Sequence, residues 1–138
     1  MPSDQLKKLI LANAAEIVRL YSRIHETLRF RGQSPEQTEE WSRACLEFHT
    51  RYDSLAFPGG YRGALDRIAA GDPQAMEAAV CFLECRPYFF RSGYMFKDIL
   101  RKCKRAPLSE EQALRLHIVN EKLAEWQQRK QAKKRKKW

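Results

Sequence analysis

Apolar residues recur along this chain at spacings of three and four, and nowhere do they sustain the period of two that a half-buried strand requires. The first such run extends from Asp4 to Phe30, with Leu6, Ile10, Ile17, Leu20, Tyr21, Ile24 and Leu28 along one helical face. Ser3 stands where an N-cap belongs, and Gly32 follows the end. A second helix is expected over Pro35 to Leu55, opened by the capping box Ser34-Pro35-Glu36-Gln37. On it Trp41, Cys45, Phe48 and Tyr52 share one face, while Glu36, Glu40 and Glu47 fall opposite, with Arg43 among them.

Phe57-Pro58-Gly59-Gly60 breaks the pattern. A short third helix is expected from Tyr61 to Ala70, stopped by Gly71, and Asp72-Pro73 supplies the start of a fourth. That fourth helix, Pro73 to Cys85, is apolar on nearly every side, with Glu77 and Glu84 its charges. A short helix of this kind belongs in the centre of a fold. Pro87 is read as opening a fifth helix over Tyr88 to Lys104, striped by Phe89, Phe96, Ile99, Leu100 and Cys103. Gly93 would then lie mid-helix, where it costs roughly 1 kcal/mol against alanine and implies a close crossing or a kink. Ser109-Glu110-Glu111-Gln112 is a second capping box, and the sixth helix carries Leu116, Val119, Leu123 and Trp126 on one face. The fold class is therefore all-α: one irregular bundle of about six helices, with the fourth and fifth in the middle and the first and last outside.

Composition agrees with a globular body. Of 138 residues 43% are hydrophobic and 31% charged, and six glycines and six prolines are too few for a turn-rich β fold. No run of 18 apolar residues suits a membrane span, and the amphipathic N-terminus lacks the apolar core of a secretory signal, so the expected address is the cytoplasm. The net charge of +9 is unevenly spread. Residues 129–138 hold seven Lys or Arg and no acid; removing those seven from 26 leaves 19 basic against 17 acidic residues, a net of +2. The division expected is a helical domain over 1–128 and a basic tail over 129–138, frayed or disordered. Trp138, at the very end, is read as exposed.

Few residues suggest chemistry. Cys45 with His49, and Cys81 with Cys85, are each four apart on a helix, and two facing helices would offer zinc three sulfurs and an imidazole. Against this, no Cys-x-x-Cys knuckle occurs, and the cysteines sit among core residues, so they are read as reduced, buried thiols with no metal and no cofactor. His25, His49 and His117 lie in no recognised nucleophile motif, and Glu77 and Glu84, seven apart, read as a solvated strip. An enzyme is not expected. The segment from Arg86 to Arg105 is more informative: seven basic residues and one acid, Asp98, interleaved with aromatics. Such a pattern holds phosphates or stacks on bases. It also fits a helix whose cations complement its C-terminal dipole or pair with Glu77 and Glu84.

Phe57-Pro58-Gly59-Gly60, Gly71-Asp72-Pro73 and the stretch from Phe82 to Tyr94 resemble a small bacterial all-helical family of unassigned function, over about residues 41 to 115. In size, helicity and lack of active-site residues the chain is similar to immunity- and antitoxin-type proteins, which neutralise a partner by binding. Such proteins are often acidic where they block a nuclease, and this chain is basic. The resemblance implies a non-enzymatic protein acting through protein–protein contact, with a toxin or effector as partner. Its surface would be the acidic face of the second helix, Glu36, Glu39, Glu40 and Glu47, or the fifth helix with Arg91, Tyr94, Lys97, Arg101, Lys104 and Arg105. The alternative is a nucleic-acid-binding protein using Arg91, Tyr94, Lys97, Arg101, Lys104 and the tail.

Overall fold

Asp72 and Pro73 begin the helix around which the rest is arranged. The Asp72 carboxylate accepts from the Ala75 amide at 2.9 Å, and proline sits where no amide proton is needed. In a computed structural model describing residues 1–136, this helix is one of six: α1 (Ser3–Leu28), α2 (Pro35–Ala56), α3 (Ala64–Ala69), α4 (Pro73–Cys85), α5 (Ser92–Cys103) and α6 (Glu110–Lys136). They form a single all-helical domain. No named strand occurs among the described residues, and no helix there is long and apolar enough to cross a membrane.

α4 is the centre, as its all-round apolarity predicts. It packs against α1, α3, α5 and α6, and Ala79, Val80, Cys81 and Phe82 are fully enclosed. Phe57, at the end of α2, meets Phe82 at 6.0 Å between ring centres. Each such side chain, fully buried, contributes about 1.5–3 kcal/mol. The long α1 and α2 lie against one another, α1 also packs against α4, and Ile10, Ile17 and Leu20 of α1 are buried.

Four sequence expectations are corrected. Ser3 does not cap α1: Pro2 holds that position, and the Ser3 hydroxyl donates to Glu77 Oε2 at 3.0 Å. α3 starts at Ala64 because Gly63 (φ +79°) and the turn before it are tied by Arg67 to the Gly60 carbonyl at 2.9 Å. α5 begins at Ser92, so Gly93 falls in its first turn, and a Cβ there would meet nothing within 4 Å. α5 is also not central: Met95, Phe96, Ile99 and Cys103 face the core, while Tyr94, Lys97 and Arg101 face solvent.

α6 continues to Lys136, where a frayed tail beginning at 129 was expected. Only its first half packs, through Leu116 and Val119; every residue from Ala124 to Lys136 is exposed. Good helix formers such as Gln, Lys and Arg fill this stretch, and the cations suit the negative end of the helix dipole. Trp138 lies outside the described residues.

Candidate functional site

The chain between α4 and α5 is bent by two arginines in the left-handed region, Arg86 (φ 47°) and Arg91 (φ 69°). Glycine is the usual residue there, and a non-glycine costs on the order of 1–3 kcal/mol. Neighbours hold the bend. The Arg86 amide donates to the Phe82 carbonyl at 2.9 Å, and the Phe89 amide donates to Ser92 Oγ at 3.0 Å. From α2, the Tyr52 hydroxyl donates to the Phe90 carbonyl at 2.6 Å. Pro87 and Phe89 point inward, while Tyr88 is 89% exposed.

The bend forms one wall of an open groove of about 940 Å³. Tyr21 and Val18 of α1, Phe96 and Leu100 of α5, and Leu123 and Trp126 of α6 complete it. Arg86, Arg91, Lys97 and Lys130 also line it, and no aspartate or glutamate does.

Three of these cations are set by aromatic rings. The Arg86 guanidinium carbon lies 4.8 Å from the Trp126 ring centre and 5.5 Å from that of Phe96. Lys130 Nζ lies 5.0 Å from the Trp126 centre, and Arg91 lies 5.4 Å from that of Phe90. Phe90 in turn stacks on Tyr21 at 5.0 Å with 17° between planes. A π face directs a cation without neutralising it. Some cations elsewhere are matched to carboxylates, Arg19 to Glu16, Arg23 and Arg51 to Glu47, Arg43 to Glu39, and Arg101 to Asp98, while others on the surface, such as Lys8, Arg29 and Lys104, are not. Among the described residues, Arg86, Arg91, Lys97 and Lys130 form no ion pair, which leaves their charge facing the groove.

Of the sequence candidates, Arg91 and Lys97 lie on the groove. Tyr94 and Arg101 of α5, and Lys104 and Arg105 just after it, are exposed but outside the groove, with Arg101 engaged by Asp98 at 3.7 Å. The acidic face of α2 is partly neutralised: Glu39 meets Arg43 at 3.0 Å, and Glu47 meets Arg23 at 2.9 Å. Glu36 and Glu40 remain exposed. Trp126 was missed as a site residue, and Arg86 and Lys130 entered only as members of the 86–105 segment and the 129–138 tail. A signal existed, since Trp126 and Lys130 are one helical turn apart at the point where α6 loses its apolar neighbours.

Glu77 and Glu84 are not a solvated strip. Arg115 of α6 reaches both, donating through Nη1 to Glu77 at 2.7 Å and through Nη2 to Glu84, and Lys7 approaches Glu84 at 3.4 Å. Burial is the largest single influence and pushes both carboxyls up, but the hydrogen bonds and charge of Arg115, with Ser3 and Gln112 at Glu77 and Lys7 at Glu84, together outweigh it and leave them below the ordinary glutamate range. This cluster ties α6 and α1 to α4, and it occupies the carboxylates that Arg86 and Arg91 were expected to seek.

The two halves of the zinc arrangement do not meet. Cys81 and Cys85 turn toward the Ser3 and Lys7 carbonyls of α1, at 3.9 Å each, while Cys45 and His49 lie on α2. No three His, Cys, Asp or Glu side chains gather at metal spacing among the described residues. Burial raises the Cys81, Cys85 and Cys103 thiols, the last to about 12. His25 lies edge-on to Tyr21, His49 edge-on to Phe48, and His117 reaches Glu121 at 2.9 Å.

Compared with protein-family models, with curated proteins and with solved structures, the chain finds no match.

Proposed function

We propose that this is a non-catalytic binding protein whose recognition surface is the groove beside the 86–91 bend, and that its ligand is single-stranded nucleic acid. The observation that carries the reading is the groove's one-signed charge: four cations, no acid, and aromatic rings aiming the cations in place of carboxylates. Phosphates are met by Arg and Lys, and bases by exposed aromatic faces. Tyr88 offers such a face. Strained backbone held in place by neighbours is common at binding sites, and here both strained residues are arginines on the groove.

A protein partner, as the immunity-type resemblance implies, is the second reading. It is favoured by the apolar floor of Phe96, Leu100 and Leu123, which suits a buried side chain from an acidic segment. Under either reading the working surface moves from the acidic face of α2 to the groove.

The test is fluorescence anisotropy with a labelled oligouridine, with polyglutamate as competitor. Arg91→Glu combined with Lys97→Glu should weaken oligouridine binding at least about tenfold, since each lost phosphate contact lowers the salt slope by about 0.7 on a single strand. Glu36→Lys on α2 should leave it unchanged or slightly tighter. If polyglutamate competes as well as unlabelled oligouridine at matched charge, the protein-partner reading replaces this one.

A further inference from the structure

The inner stripe of α6 changes character along its length. Through the body it is apolar: Leu116, Val119 and Leu123 pack against the bundle, and Trp126 stands at the edge with 40% of its surface exposed. Advancing by three and four residues along the same stripe gives Lys130, Lys133 and Lys134. These three and Trp126 fall within about 100° of helical arc. The last acid before them, Glu125, falls outside this arc, about 130° from its centre, and residues 126–136 contain none. All of these residues are exposed and helical. Lys130 belongs to both features, since it lines the groove and begins the row of lysines.

Beyond the groove mouth six of the eight residues 129–136 are basic; Lys130, Lys133 and Lys134 are the three that continue the groove-side stripe, while Arg129, Arg135 and Lys136 fall outside its arc. From Trp126 to Lys136 the helix advances about 15 Å beyond the body. Salt bridges do not anchor this arm: among the described residues, no carboxylate pairs with Lys130, Lys133 or Lys134.

We infer that the lysine row of α6 is a continuation of the groove, so that one polyanionic strand seats in the groove and runs outward along Lys130, Lys133 and Lys134. This rests on the single-strand reading of the groove and adds to it a site size and a direction. The groove supplies stacking and the innermost phosphate contacts; the arm supplies phosphate contacts alone. Affinity is then predicted to rise with strand length until the arm is covered.

The experiment compares labelled oligouridines of about six and about fifteen nucleotides on the full chain, across a salt series. The wild type should bind the longer strand at least about tenfold tighter than the shorter. Lys133→Gln with Lys134→Gln should abolish most of that gain and lower the salt slope by about 0.7 for each lysine removed, while leaving the shorter strand's affinity unchanged. Unaltered helical circular dichroism and melting temperature would show that the variant is folded, as expected for exposed positions. If the short strand binds in a groove-dependent way but the double variant keeps the full gain with length, the arm is not part of the site and the inference falls while the groove reading stands. If the short strand does not bind, or binds regardless of Arg91→Glu with Lys97→Glu, the groove reading falls and takes the inference with it.

Discussion

The Arg86 guanidinium rests 4.8 Å from the centre of the Trp126 indole, joining the strained end of α4 to the exposed turn of α6 just beyond its packed half. The indole orients two cations, because Lys130 approaches it as well. Trp126→Leu keeps apolar cover over Leu123 but removes the π face. An exposed cation–π pair contributes about 0.5–1 kcal/mol, so chemical denaturation should show a loss of about 1 kcal/mol. A loss above about 3 kcal/mol would make Trp126 a core residue instead.

Arg115 serves structure rather than recognition. Its side chain is 15% exposed and those of Glu77 and Glu84 are 22% exposed, so its removal strands two carboxylates in a poorly hydrated seam. Arg115→Met should cost about 2–4 kcal/mol, toward the lower part of the range for breaking a buried pair because the seam is partly wet. Urea unfolding measures this, and groove affinity at saturating stability should be unaffected.

The same cluster sets the response to acid. Glu77 and Glu84 are depressed in the folded chain, so their contribution is complete above about pH 5 and is lost as pH falls through the depressed values, below about 4.3. In Arg115→Met the direction reverses: burial then raises both carboxyls, and protonation relieves the folded state. Urea midpoints compared at about pH 7 and about pH 3 should therefore drop steeply for the wild type and drop less for the variant. Equal drops would show that Arg115 does not hold these carboxyls down.

Two glycines should respond oppositely to alanine. Gly71 has φ +85°, and a Cβ there would stand 2.9 Å from Pro107 Cγ, so Gly71→Ala should destabilise by at least about 1–2 kcal/mol. Gly93 lies in the first turn of α5 with open space around it, so Gly93→Ala should stabilise by about 0.5–1 kcal/mol. Thermal melts of the pair decide both signs.

Much of the fold is legible in the sequence because the local signals agree. Asp72-Pro73 ahead of an apolar-all-round run identifies α4, and the Ser109 and Gln112 pair forms the reciprocal cap that its spacing announces, at 3.0 and 3.1 Å. The groove is not legible, because its parts come from α1, the 86–91 bend, α5 and α6, and meet only in three dimensions. Pro87 followed by aromatics mimics a helix start, and nothing local reveals that Arg86 and Arg91 adopt glycine-like backbone. Trp126 shares its helical face with Leu116, Val119 and Leu123, so periodicity assigns it to the core; where the body ends is a tertiary fact. Glu77 and Glu84 read as solvated because Arg115 lies 38 and 31 residues further on.

The groove beside the 86–91 bend is the proposed seat of a nucleic-acid strand. Photo-crosslinking of a bound 4-thiouridine oligomer, mapped by mass spectrometry, tests it most directly. The structure predicts cross-links at Tyr88, Phe90 or Trp126, suppressed when Arg91 and Lys97 are reversed in charge. Cross-links confined to the α2 surface around Glu36 and Glu40, or none with excess oligomer, would contradict it.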